Sequence, residues 1–441
     1  MPTRHLILFG VILEALYLSL FLCADLLPSI ATFIAVNAGA YALLAYIVHV
    51  NRGEKQEACQ KAHRHRRLWL IIGFALLFRL TLLPHVPVAS DDIYRYLWDG
   101  KVAAAGINPY QYAPTDATLA ALENGDLSAK INHPQLRTIY PPLAQGLFLL
   151  SHLLFGDSTV GLKALLVVCD LSTIALLWLL LARFKRNPEA LLLYAWSPLP
   201  IMYFALDGHI DALGIPFMLL FLLFLHNAKD NQAGVALGFG GLAKLYPLFL
   251  LPVLFERGLR LKRAWLPGIP IVLLAAGYLC YWQHSSGGLF ESVVLFNSSF
   301  SFNGLFYSVM RPLLKSSAAA HMASTVLFAC CLVWIFLLKR SILEKVFLTF
   351  FCFALFSPVV HPWYLTWLAA LLVLRWSVSV FTLLGFSNLS NLVVYWYRAT
   401  GNWENRSWLM ALEYLPFLCL LFWELTRERF SPVPPGDVKE R

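Results

Sequence analysis

Apolar side chains run along this chain in long unbroken blocks separated by short polar turns. The blocks fall at about 5–23, 28–50, 68–84, 159–182, 190–206, 211–226, 265–282, 318–338, 346–359, 363–375, 377–396 and 408–425. Most are near the roughly 20 residues a helix needs to cross hydrocarbon, and none alternates as a barrel strand would. The pattern predicts an all-α fold, a polytopic transmembrane helical bundle of about 12–14 membrane segments. The block at His5 has no small-residue cleavage site and flows into further spans, which predicts a retained first helix.

Two blocks break the rule. "LFLLSHLLF" (Leu147 to Phe155) is too short to cross, so 141–156 reads as a helix lying on or dipping into the outer face. If it crossed, everything to about residue 232 would flip and Arg183–Arg186 would lie outside. The block 233–255 holds Gly234, Gly238, Gly240, Gly241 and Pro247, which predicts two half-helices meeting near Lys244. Such a break is tolerated only where the freed backbone lines protein or water.

Composition supports this. Hydrophobic residues make up 59% of the 441 and charged ones only 13%, about half the usual charged share of a soluble domain. The net charge of +9 sits in short loops: Asn51–Arg67, Ala182–Arg186, Glu256–Arg263, Lys339–Arg340 and the tail after Arg427. That is the positive-inside pattern, and it orients the chain rather than offering a nucleic-acid surface. It places both termini in the cytoplasm and the loop 85–158, with its juxtamembrane helices, outside. The chain then divides into an N-terminal pair of spans with their basic loop (1–67), a membrane core (68–376), C-terminal spans (377–430) and a tail (431–441). The eight cysteines lie mostly in apolar spans, Cys59 lies in a basic loop, and none lies between His85 and Tyr140. They support neither a disulfide framework nor a cysteine metal site.

With that topology the unusual polar groups gather on one side: Asp91 and Asp92, Asp207, His209 and Asp211, then Asn297, Asn303 and Tyr307, then "SPVVHPWYLTW" (Ser357 to Trp367). Ionisable groups near membrane depth are costly and mark a pathway or a site by default. Plainer roles are open to each. Asp91 and Asp92 can cap a helix, Asp207 and Asp211 can mark the membrane boundary, and Lys244 can snorkel. His361 can be a simple loop residue, and Tyr94, Trp98, Tyr110 and Tyr112 can form an interfacial belt. As a set they suggest more. A carboxylate at the membrane edge can take a proton from an alcohol, and a buried lysine can hold a departing phosphate. Aromatic rings and amides suit a sugar. One substrate meets all three: a polyprenyl-phosphate sugar.

The segments "SDDIYRYLWDGKVAAAGINPYQYAP" (Ser90 to Pro114), "INHPQLRTIYPPLAQ" (Ile131 to Gln145), "YAWSPLPIMYFALDGHIDAL" (Tyr194 to Leu213), "GLAKLYPLFLLP" (Gly241 to Pro252) and "SPVVHPWYLTWL" (Ser357 to Leu368) resemble the GT-C superfamily of membrane glycosyltransferases. They are most similar to the bacterial polyprenol-phosphate-mannose-dependent α-mannosyltransferases. The resemblance implies a GT-C-like bundle, with Asp91 as catalytic base and Asp92 as a catalytic, substrate or metal contact. Lys244, Arg95 and Tyr246 would hold the donor phosphate. Trp98, Asn108, Tyr110, Tyr140, Asp207, His209, Asp211, His361, Trp363 and Tyr364 would bind sugar or acceptor. It further implies transfer with inversion, on the periplasmic side of a bacterial inner membrane, to a glycan or glycolipid acceptor. No cofactor is fixed, and a divalent cation (Mg or Mn) stays open without a ligand-spacing motif. Two other classes compete: a lipid-linked sugar flippase or secondary transporter, and a non-catalytic assembly subunit. A transporter predicts an inverted repeat and midplane polar groups. The sequence shows no repeat, and its polar groups crowd to one face.

Overall fold

A buried ion pair ties the first half of the molecule together. Arg79, near the end of the Lys61–Leu82 helix, meets Asp170, midway along Thr159–Arg183, at 2.5 Å, and both side chains are fully buried. The other carboxylate oxygen of Asp170 accepts from Tyr194 Oη at 2.7 Å, and Arg79 Nη1 donates to the Ala195 carbonyl at 3.0 Å. Three chain segments are thereby fixed where water cannot substitute for a missing partner.

The computed structural model describes residues 2–22, 26–53, 61–123, 126–282, 289–404 and 406–430; Cys59 and the tail from Ser431 lie outside them. Among the described residues there are helices and two isolated bridges, but no strand. Six helices are long and apolar enough to cross a membrane: Thr3–Leu22, Ser29–Val50, Thr159–Arg183, Ser317–Leu337, Val378–Thr400 and Ser407–Arg427. A seventh span forms if Pro188–Ala195 and Pro198–Leu206, bent by 47°, are taken together. Other expected segments are present as shorter apolar helices, among them Asp211–His226, Gly268–Trp282 and Pro362–Leu374. The chain is an integral helical membrane protein.

Local sequence explains the boundaries. Ser158, Ser316, Ser341 and Ser377 each accept a hydrogen bond from a backbone N–H in the first turn of the helix they precede, satisfying donors that have no intrahelical partner. Such a cap moves one expected start, so that the block read at 346–359 begins at Ile342. The block 233–255 divides as expected. Asp230–Ala243 ends at Lys244, whose backbone is extended, and the chain resumes as Tyr246–Leu250 and Leu251–Arg260.

The helix Pro142–Phe155 packs on the outer-loop helix Asp92–Ala104 along its whole length. Tyr96 stacks on Phe148 at 4.7 Å and meets Tyr140 edge-on, and Lys101 pairs with Asp157 beyond the far end. A Cβ added at Gly100 would lie 2.3 Å from the Phe148 carbonyl oxygen, so only glycine permits this approach. With 14 residues, Pro142–Phe155 falls short of the roughly 20 that a straight crossing needs.

The basic ends converge at the opposite pole. Arg67 pairs with Glu189, Arg257 with Asp230 at 2.9 Å, Lys345 with Glu256 at 2.5 Å, and Arg186 donates to the Leu374 carbonyl. The Arg79→Ala variant, which strands Asp170, should lose about 3–5 kcal/mol of stability. Thermal unfolding in detergent should show this, with the Arg79→Met/Asp170→Leu double variant recovering much of the loss.

Candidate active site

The acidic pair sits where the extended segment 86–91 becomes the Asp92–Ala104 helix. Asp91 holds the cap position, yet its side chain makes no capping bond. The Asn132 amide instead donates to both carboxylates, at 2.8 Å to Asp91 Oδ1 and 2.7 Å to Asp92 Oδ1. One donor thus fixes two like charges side by side. Arg398, from the helix Asn391–Thr400, reaches the other oxygen of Asp91 at 3.3 Å, and both side chains of that pair are 35% exposed. Asp91 therefore faces water, while Asp92 faces inward. Burial first, and then the adjacent Asp91 charge, push the Asp92 carboxyl up to about 6.

Behind Asp92 lies His209, with Nδ1 3.7 Å from Asp92 Oδ2. Its ring is fully buried, neither nitrogen has a hydrogen-bond partner, and burial pulls its pKa well below the usual value, leaving a neutral imidazole. It begins a run of stacked rings: Trp363 at 3.8 Å, then His361 at 4.2 Å from Trp363, then Phe302 at 4.5 Å from His361. The 302–303 segment is held against Val359 by paired backbone hydrogen bonds, Phe302 N to Pro358 O and Val360 N to Phe302 O. Asn303 then donates to both oxygens of buried Glu413, at 2.9 and 3.1 Å.

Lys244 stands in the break between the half-helices. Its ammonium donates to Asp211 Oδ2 at 3.0 Å and lies over the rings of Tyr246 (5.1 Å) and Tyr364 (5.0 Å). The other Asp211 oxygen accepts from Trp367 Nε1 at 2.8 Å. Lys244 and Asp211 are close enough for their charges to act on Asp92. A carboxylate pair, a neutral histidine and an ammonium in an aromatic cradle thus share one site. It can accept a proton at its outer rim and stabilise an anion within.

Most residues expected at a site lie here: Asp91, Asp92, Lys244, Tyr246, His209, Asp211, His361, Trp363 and Tyr364. Burial first, and then the Asp92 charge, hold the Tyr140 phenol well above its usual range, which places it at the same site. Arg95 is buried against Asp99 at 2.9 Å and keeps Nη2 without a partner among the described residues. Four expected sugar contacts have other work. Trp98 is buried in the core. Asn108 donates to the Tyr281 carbonyl at 2.8 Å, and Tyr110 Oη to the Tyr140 carbonyl at 2.6 Å, so both pin the outer loop. One oxygen of Asp207 accepts from the backbone N–H of Val88 and Ala89, at 2.7 and 3.2 Å, and braces the segment leading to Asp91. Hydrogen bonds to the protein itself, not an open face, account for these polar groups. Asn303, in the connection between Glu291–Ser299 and Leu305–Leu314, is likewise drawn inward, to Glu413. Asn132, Arg398 and Trp367 were not singled out from sequence. Arg398 carries no spacing signal, although Asn132 falls within the Ile131–Gln145 segment and Trp367 within Ser357–Trp367.

Among the described residues no three His, Cys, Asp or Glu side chains converge as a metal site. The carboxylates of Asp91 and Asp92 are bridged by an amide.

A paired lysine and a water-facing carboxylate thus share one site of a helical membrane bundle. Residues 11–256 match the model of the MptA_B family, described as alpha-(1->6)-mannopyranosyltransferase, N-terminal domain. That is more than half of the 441 residues, and the chain belongs to this family of mannosyltransferases. No curated protein matches the chain. The family match takes in Asp91, Asp92, Asn132, His209, Asp211 and Lys244, and ends before His361 and Arg398.

A rate that needs the Asp92 carboxylate should fall as pH drops through about 6, where that group takes up a proton. Asn132→Ala removes a hydrogen bond that favours the charged form, so the acid limb of kcat/KM should move to higher pH. A pH–rate profile of mannosyl transfer by both proteins checks this.

Proposed function

We propose that the protein moves a mannosyl group from a polyprenyl-phosphate donor to an acceptor hydroxyl, inverting the anomeric carbon, at the pole that carries Asp91. The observation that carries the reading is the pairing of an outward carboxylate with an ammonium held in a break between two helices. Such a break lets polar backbone and a charged head group share space inside a membrane protein.

In the step, Asp91 accepts the proton of the acceptor hydroxyl as its oxygen bonds to C1 of the sugar. The bond from C1 to the phosphate oxygen breaks, and the electron pair leaves on a polyprenyl phosphate. Lys244 meets the growing negative charge, with Tyr246 and Tyr364 shaping its surroundings and the free Nη2 of Arg95 as a second donor. A β-linked donor then gives an α-linked product. Asp92 and His209 lie inward of Asp91, where the sugar would stand, and Trp363, His361 and Tyr140 offer ring faces to it.

Orientation follows from charge. The basic clusters occupy the pole opposite the site, so the positive-inside rule puts Asp91 on the non-cytoplasmic side. In a bacterial inner membrane that is the periplasm.

The test is transfer of labelled mannose from a synthetic polyprenyl-phosphate mannose by the purified full chain. Asp91→Asn should lower turnover by about 10²–10⁴-fold, the usual contribution of a general base, without altering folding. Lys244→Ala should lower kcat/KM for the donor by about 10²–10³-fold. Near-normal turnover by Asp91→Asn removes the carboxylate from its role. Movement of the intact donor across vesicles without product marks a flippase instead.

A further inference from the structure

Outward from Asp91 the surface is built by the C-terminal part of the chain. Arg398 donates to the water-facing oxygen of Asp91 at 3.3 Å. One residue before it, Tyr397 is 42% exposed. The helix stops at Gly401, whose left-handed backbone (φ 75°) turns the chain back. That turn brings Trp403, 46% exposed, edge-on to Tyr397 at 5.4 Å and against Phe302 at 5.4 Å. Phe302 is itself the outer ring of the stack that begins at His209 beside Asp92. A guanidinium thus meets Asp91, and two exposed rings in mutual contact adjoin that guanidinium along the chain. They are supported from below by the Glu413–Asn303 contact.

This surface suits a saccharide. Sugar C–H faces pack on aromatic rings, and adjacent hydroxyls can accept from a guanidinium fork. Arg398 is already matched by Asp91.

We propose that Tyr397, Arg398 and Trp403 form the acceptor subsite and take a saccharide whose reactive hydroxyl reaches Asp91. The proposal rests on Asp91 as the proton acceptor, and it assigns a role to a segment beyond the 11–256 family match. On binding, the acceptor hydroxyl takes a place beside Asp91, and Arg398 turns from the carboxylate to the sugar's neighbouring hydroxyls.

The test uses the full chain with α-1,6-linked mannotriose as probe. Trp403→Ala should raise acceptor KM by about tenfold while donor KM stays near wild type. Trp403→Phe, which keeps a ring, should recover most of that rise. Arg398→Gln should also raise acceptor KM. Saturation-transfer NMR of mannotriose without donor gives a second readout: a signal in wild type that weakens in Trp403→Ala supports the subsite. The same signal without transfer from polyprenyl-phosphate mannose would sink the donor reading and leave the subsite standing. Acceptor KM and NMR signal unchanged in a folded Trp403→Ala overturn the subsite. A variant that loses only stability in bilayers shows an interfacial belt and overturns it equally.

Discussion

An ammonium group in the interior of a membrane protein must be paired, and the pairing of Lys244 with Asp211 organises the site. The ion pair alone does not close the account, because a carboxylate has more than one oxygen to satisfy. Asp211 uses its second oxygen on Trp367, and this locks the helix Thr366–Leu374 to Asp211–His226. The rings of Tyr246 and Tyr364 face the ammonium where water would otherwise stand. The break in the helix, the aromatic cradle and the position of Trp367 all follow from that one charge. Gly214, on the next turn of the same helix, completes the fit: a Cβ there would lie 2.6 Å from the Trp367 ring.

The same device recurs at different depths. Asp170 is held by Arg79 and Tyr194, and both oxygens of buried Glu413 by the one amide of Asn303. Breaking such sets is costly, so they define geometry more than they add stability. Asp92 is half-buried and only lightly compensated, by one shared amide and an imidazole nitrogen 3.7 Å away, and so its affinity for protons is raised. A group left in that condition is available to interact with something else.

Much of this was legible in the chain. Hydrophobic block length gave the helical class, and the Gly-rich run before Lys244 gave the broken helix. The brevity of "LFLLSHLLF" gave a helix shorter than a straight crossing needs. The paired aspartates stood out because charge is scarce, at 13% of residues. What could not be read was partnership across long separations. Arg398 and Asp91 are 307 residues apart, and Trp367 and Asp211 are 156 apart. No local pattern encodes such contacts. For the same reason Asn108, Tyr110 and Asp207 looked like sugar contacts. Their residue types suit a sugar, but the backbone groups they serve are visible only once the chain is folded.

The brace from Asp207 to the backbone of Val88 and Ala89 spans 119 and 118 residues. It sets an order of assembly. During synthesis the acidic pair emerges well before the carboxylate that fixes its approach segment, and longer still before Arg398. Until the bent pair Pro188–Ala195 and Pro198–Leu206 has been inserted, those two N–H groups lack their acceptor and must be satisfied by water. The segment before Asp91 therefore takes its final course only after Asp207 has emerged, so a nascent chain halted before that bent pair would carry the two aspartates without their arrangement.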